Sequence, residues 1–166
     1  MKMLLILFLA VNIFGDTLHI AELKSVNSND IQKFRIGMYG FICQPYGVVT
    51  LEEVLAQNDI TPVCRQKIQT YFIKYPLQKY FVQMHTNVRQ SYHVEFKKSR
   101  CIVYAQGKKT LSEELLERGL GVMKNNFTDD EFRYLFLTAQ KRAQVAKMGV
   151  WGEDALLPCI PERLKI

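Results

Sequence analysis

Arg100–Gly121, RCIVYAQGKKTLSEELLERGLG, is the stretch whose reading decides the fold. Ile102, Val103, Tyr104 and Ala105 form an apolar, β-prone run. Gly107 then allows a tight turn without steric cost. Thr110 and Glu113 have the spacing of a capping box, in which each side chain satisfies the other's free backbone N–H. Leu115 lies on a short helix that stops near Gly119, where a positive φ is cheap. Strand, turn and short helix make a unit too small to bury its own apolar face, so it must pack on something larger.

Residues 1–15 open with MKMLLILFLAVNIF, one Lys followed by an apolar run broken only by Asn12. About 12 apolar residues fall short of the roughly 20 needed to span a bilayer. The pattern predicts a secretory signal peptide, hence an exported, periplasmic or secreted protein with no stable membrane span after its removal. About 150 residues remain, enough for one domain with a real core. The net charge is +6, from 22 Lys and Arg against 16 Asp and Glu. That excess favours acidic partners such as nucleic acid, another polyanion or an anionic envelope surface. Cys43, Cys64, Cys101 and Cys159 are too widely spaced for a CxxC metal or redox motif. In an exported chain they predict one or two disulfides, and the sequence leaves all three pairings open.

Leu18–Val26 reads as a strand and Asn27–Asp30 as a turn. Ile31–Ile42 reads as a second extended segment, bent at Gly37 and Gly40 and closed by Gln44-Pro45-Tyr46-Gly47. Thr50 and Glu53 form a second capping box, and Thr61-Pro62 starts a helix ending at Pro76. Tyr80, Val82 and Met84 alternate as a strand, as do Tyr92, Val94 and Phe96. Thr128 and Glu131 form a third box, opening a long helix with a stripe of Phe132, Leu135, Phe136, Ala139, Ala143 and Ala146 and with Gly149 just past its end. Val150-Trp151 docks the chain end, and 155–166 reads as an irregular tail. Strands before and between helices favour an α+β fold.

Several of these segments resemble the staphylococcal nuclease (thermonuclease) family. Tyr104-Ala-Gln-Gly107-Lys108, Leu115 and Arg118-Gly119-Leu120 resemble its fourth-strand, hairpin and second-helix segment. Ala139-Gln140-Lys-Arg-Ala143 through Gly149-Val-Trp151-Gly-Glu-Asp154 resembles its last helix and terminal Trp. Phe34-Arg35-Ile36 with Gln44-Pro45-Tyr46-Gly47 resembles its path from the catalytic strand into the first helix. The resemblance spans most of a 16–154 domain and implies a five-stranded OB barrel with three helices, a fold that often binds oligonucleotides. With that barrel, Cys43 and Cys101 approach each other across the pocket, and Cys64 and Cys159 form the other pair.

The resemblance also implies a Ca²⁺ site built from two Asp and one Glu, with two Arg on the phosphate. Arg35 matches the first arginine, and Arg100 lies nearest the second, with Lys98 at the ungapped position. Tyr39-Gly-Phe-Ile-Cys-Gln-Pro45 has no carboxylate where the family has Asp and Glu. In Asn27-Ser-Asn29-Asp30 only Asp30 is charged, and Gly15-Asp16-Thr17 copies the motif's letters by chance. The family's tyrosine after the second helix falls at Asn125. Glu53 reads as a capping residue, Glu52 and Glu95 as solvated, and His85 and His93 as strand residues. Asn126-Phe-Thr128 matches a glycosylation pattern, with Thr128 better explained as a cap.

The resulting expectation is an exported, nuclease-like domain that binds nucleic acid or another polyanion, with catalysis degenerate or lost and no cofactor. Its groove would use Arg35, Arg100, Lys97 and Lys98 on phosphates, with Tyr39, Tyr46 and Tyr92 stacking on bases. Two alternatives stand beside it. One is an active metal-dependent endonuclease with a rearranged site, using Ca²⁺. The other is a disulfide-stapled envelope domain that binds proteins.

Overall fold

Eight strands and six α-helices make up residues 17–161, the part of the chain that the computed structural model describes. The segment expected to be a signal peptide, with its Gly15-Asp16 letters, and the last five residues of the tail lie outside it. Leu18–Val26 is β1. Gln32–Ile36 (β2) and Tyr39–Cys43 (β3) form a hairpin turned at Gly37-Met38, so the single extended segment expected there is folded in two. Gly37 adopts a φ of 57° in that turn. Ser91–Lys97 (β5), Arg100–Gln106 (β6) and Lys109–Thr110 (β7) complete an antiparallel sheet of order β3-β2-β1-β5-β6-β7. Val48–Thr50 (β4) pairs separately with Gly121–Met123 (β8).

The sheet is strongly curled. Three strands separate β3 from β6, yet Cys43 is disulfide-bonded to Cys101. Beside that bond the Cys101 N–H donates to the Gln44 carbonyl at 3.0 Å, and the Tyr46 N–H donates to the Cys101 carbonyl at 3.0 Å. With the disulfide, this isolated parallel bridge, Pro45 to Cys101, joins β3 to β6; among the described residues no further strand pairing closes the sheet. The α+β class is as expected, whereas the helices outnumber the three that the resemblance implied.

The helices follow their caps. Leu51–Leu55 (α1) starts at Thr50, whose Oγ1 accepts the Glu53 N–H. Pro62–Lys74 (α2) starts at Thr61 with Pro at the first turn. Pro76–Lys79 (α3) and Phe81–His85 (α4) replace the strand expected at Tyr80–Met84. Pro76 needs no N–H at a helix start, and Phe81 and Val82 are buried as neighbours, which no half-buried strand permits. Leu111–Glu117 (α5) has the reciprocal Thr110–Glu113 box. Asp130–Val145 (α6) is capped by Asp129, not Thr128, and buries Phe132, Phe136, Ala139, Gln140 and Ala143. Leu135 and Ala146 stay outside, and Lys147, with φ 49°, takes the left-handed position expected for Gly149.

Three apolar clusters result. Ala21, Leu23, Phe34, Tyr92, Val94 and Val103 fill the hollow of the sheet, with Phe81, Val82 and Leu115 closing it. Val49, Val54, Ile68, Phe72, Val150 and Ile160 hold α2 and the tail. Ile102, Leu116, Phe127, Phe132 and Phe136 lie under α6. The tail carries a short 3₁₀ turn, Leu157–Cys159, and is stapled to α2 by Cys64–Cys159. The two disulfides thus pair as the resemblance implied. They close loops of 58 and 95 residues. Loops of that length predict that each reduced or Cys→Ser chain is about 2–4 kcal/mol less stable, read from urea titrations with and without reductant.

Candidate functional site

Four chain segments converge where β3 meets β6: the β1–β2 turn, the Gln44–Gly47 loop, the β4–α1 junction and Lys124 just past β8. Arg100 opens β6 and faces inward. Its Nη2 donates to Glu53 Oε1 at 2.6 Å, and its Nη1 donates to the Pro45 and Val48 carbonyls at 3.0 and 3.2 Å. Lys124 Nζ stands 4.0 Å from the same Glu53 oxygen. Asp30, nearly fully buried, accepts from Gln44 Nε2 at 2.7 Å. Its other oxygen and Glu53 Oε2 are buried with no hydrogen-bond partner.

The charges perturb one another. Burial pushes the Asp30 carboxyl above its ordinary range, and the charge on Glu53 adds to this; Gln44 and Arg100 oppose it. Burial, then the Arg100 charge, pulls Lys124 down. Behind this pair sits Glu52, pushed up to about 7 by burial. Asn29 Nδ2 donates to Glu52 Oε1 and to the Gln78 carbonyl, both at 2.8 Å, while Asn29 Oδ1 accepts the Val82 N–H at 3.0 Å. One buried Asn therefore ties the β1–β2 turn to α1, α3 and α4.

This arrangement departs from the expected site. Glu53 is not the reciprocal cap of α1, because its carboxylate is taken by Arg100; Glu52 is half-buried with its carboxylate shielded rather than solvated. Arg35 does not join Arg100. It lies on the outward face of β2 and donates to Glu22 Oε2 at 2.7 Å. Tyr92 is a core residue whose hydroxyl accepts the Asn87 N–H, so it cannot stack on a base. Tyr46 is half-buried against Phe127 and Phe132 and donates to Asp129. Lys97, its side chain 8% exposed, lies between Glu95 and Glu131 over the Phe132 ring, and Glu95 accepts the Tyr104 hydroxyl. Lys98 is exposed in the β5–β6 turn, and Tyr39 is 83% exposed on β3. His85 is on a helix, bonded to the Phe81 carbonyl and stacked on its ring; His93 faces outward on β5. Asn29, Gln44 and Lys124 were missed altogether: a polar turn, a turn residue and a lone lysine carry no periodic signal of burial.

A hard cation would need six to eight oxygens. The unpartnered oxygens of Asp30 and Glu53 offer two, beside the positive charges of Arg100 and Lys124. Among the described residues no group of three or more His, Cys, Asp or Glu is arranged to hold a metal. The residues present do not fit Ca²⁺. Comparison with protein-family models and with curated proteins finds no match for this chain.

Two outcomes follow from the buried charges. Arg100→Ala strands Glu53 and lowers stability by about 3–5 kcal/mol, while Arg100→Met with Glu53→Leu recovers most of it, both read by urea titration. Glu52 binds its proton more tightly folded than unfolded, so stability falls as pH climbs from 4.5 towards 7. The loss approaches about 3 kcal/mol, and Glu52→Gln removes it, leaving the variant the more stable at pH 8 with little difference at pH 4.

Proposed function

We propose that the chain is an exported, staphylococcal nuclease-like OB domain that binds nucleic acid or a related polyanion and has lost hydrolysis. The two disulfides support an oxidising compartment. Among the described residues no helix is long and apolar enough to cross a membrane. The curl of the sheet and the β3–β6 bridge support the OB reading. Loss of hydrolysis rests on Arg100, whose fork is spent on Glu53 and two carbonyls and cannot also clamp a phosphate.

The observation that carries the binding half is the outward face of β1–β3. Lys24, Lys33 and Arg35 project from it with Glu22 as the acid between them, while exposed Tyr39 starts β3 opposite Ile36, on the other side of the pleat. The Arg35–Glu22 pair is exposed and weakly held, so Arg35 is free to exchange it for a phosphate. Strands 2 and 3 are the face OB folds offer to oligonucleotides, and Gly40 leaves the β3 backbone open there. The protein-partner alternative draws on Leu18, Ile20 and Ile42, exposed on the same face at 52, 64 and 60%.

Fluorescence titration of a labelled single-stranded oligonucleotide across a salt series tests the reading. Affinity should fall steeply with salt; Lys33→Ala with Arg35→Ala should cut the log–log slope by about 1.4, and Tyr39→Ala should cost about 1–3 kcal/mol. A flat salt response sinks the polyanion reading and leaves the envelope protein-interaction domain. Plasmid cleavage with Ca²⁺, Mg²⁺ or Mn²⁺ would overturn the loss of hydrolysis.

A further inference from the structure

From Ile60 to Val94 the chain contains no Asp or Glu, yet it has Arg65, Lys67, Lys74, Lys79 and Arg89. This stretch includes the whole of α2, α3 and α4. Those helices turn Ile68, Tyr71, Phe72, Phe81 and Val82 inward. Ile73 on α2, Leu77 on α3, Tyr80 between α3 and α4, Met84 on α4 and Val88 in the turn after it are exposed at 80, 68, 49, 49 and 50%. The helical path breaks at Tyr75 and Tyr80, so these side chains come from three successive short helices and the turn after them rather than from one continuous stripe. An exposed helical side normally carries polar residues; here it carries large apolar ones, and such a patch marks an interaction site.

The cations are arranged around these side chains. Lys79 Nζ lies over the Tyr80 ring and Lys74 Nζ over the Tyr75 ring. Glu153 pairs with Lys74 at 2.8 Å and is the acid that reaches this layer from the tail. Lys67 and Arg89 form no ion pair among the described residues.

We propose that the α2–α4 layer is a docking face for an anionic lipid bilayer. The chemistry selects that occupant in two steps. Basic residues with no acid in the same stretch match the negative potential of anionic headgroups. A nucleic acid would satisfy the charge but not Ile73, Leu77, Met84 and Val88, which offer aliphatic surface where a polyanion needs hydrogen bonds or stacking rings. In a bilayer those side chains enter the headgroup–acyl boundary while the lysine stems lie along it with their ammonium groups in water. No helix here is long enough to span, so the layer lies on the surface.

Flotation of the purified, disulfide-bonded chain with phosphatidylglycerol–phosphatidylcholine vesicles, against pure phosphatidylcholine vesicles, tests this. The chain should float with the first and not the second. Lys67→Gln and Lys79→Gln should each lower partitioning about fivefold at low salt. Leu77→Ser and Met84→Ser should each lower it about tenfold at any salt. All four positions lie outside the buried core, so circular dichroism should show the variants folded. Lys33→Ala with Arg35→Ala should leave vesicle binding unchanged, which separates this face from the β1–β3 face. Failure to float, equal binding to both vesicles, or insensitivity to the α2–α4 variants would overturn the proposal. An oligonucleotide that displaces the vesicles through those same residues would reassign the face to nucleic acid.

Discussion

The structure depends on the junction at which the end of β3 meets the start of β6. A sheet of this strand order has no reason to bring its first strand to its fifth, and loop-closure entropy opposes it. Here the Cys43–Cys101 bond, the main-chain pair at Gln44 and Tyr46, and the Arg100 fork act at adjacent residues. A buried guanidinium is costly unless its donors are filled. Arg100 finds three acceptors, two of them main-chain carbonyls of the loop it holds down. The same contacts that keep the sheet curled therefore occupy the Arg100 guanidinium.

The polar interior behind this junction attaches separate segments of the chain to one another. Asn29 is hydrogen-bonded to α1, α3 and α4, which places Phe81 and Val82 over the open end of the sheet. At the far side Gly119 and Gly149 approach so closely that a Cβ on either would lie 2.1–2.2 Å from the other segment's backbone. The Val150 N–H donates to the Gly119 carbonyl there, fixing the chain after α6 against the end of α5. Gly47 does similar work at the junction itself, with φ 72° and a Cβ position 2.6 Å from the Phe127 ring.

Local signals were legible in the sequence where the physics is local. Thr50, Thr61 and Thr110 cap the helices their neighbours announce, and the Asn27–Asp30 turn follows its turn residues. Tyr80, Val82 and Met84 alternate convincingly, but a period of two over five residues is too short to exclude helix, and burial of Phe81 beside Val82 decided the matter. At the α6 start, Asp129 displaced Thr128 because adjacent residues compete for one cap and the ionised oxygen is the stronger acceptor. The site was far less legible. Arg100 and Glu53 are 47 positions apart, and nothing in either segment marks the other. Glu52 and Glu53 look equivalent in sequence; the direction of α1 sends one to Asn29 and the other to Arg100. The disulfide pairing became readable only through the family resemblance, since four cysteines alone leave three pairings.

Where the positive charge sits matters more than its sum. In the pocket, Asp30 and Glu53 balance Arg100 and Lys124, so the interior contributes little to the field outside. The excess of basic residues over acids must therefore act from the surface, where water screens each charge and only clusters attract. Two clusters differ in what surrounds them. On β1–β3 the cations share a pleated face with Glu22, so contacts there are exchangeable and weak singly. On α2–α4 the cations flank aliphatic side chains, and attraction there is backed by an area term that salt does not screen. A pocket that neutralises itself and a surface that does not are thus complementary features of one chain: the first holds the fold together, and the second leaves the excess charge facing solvent.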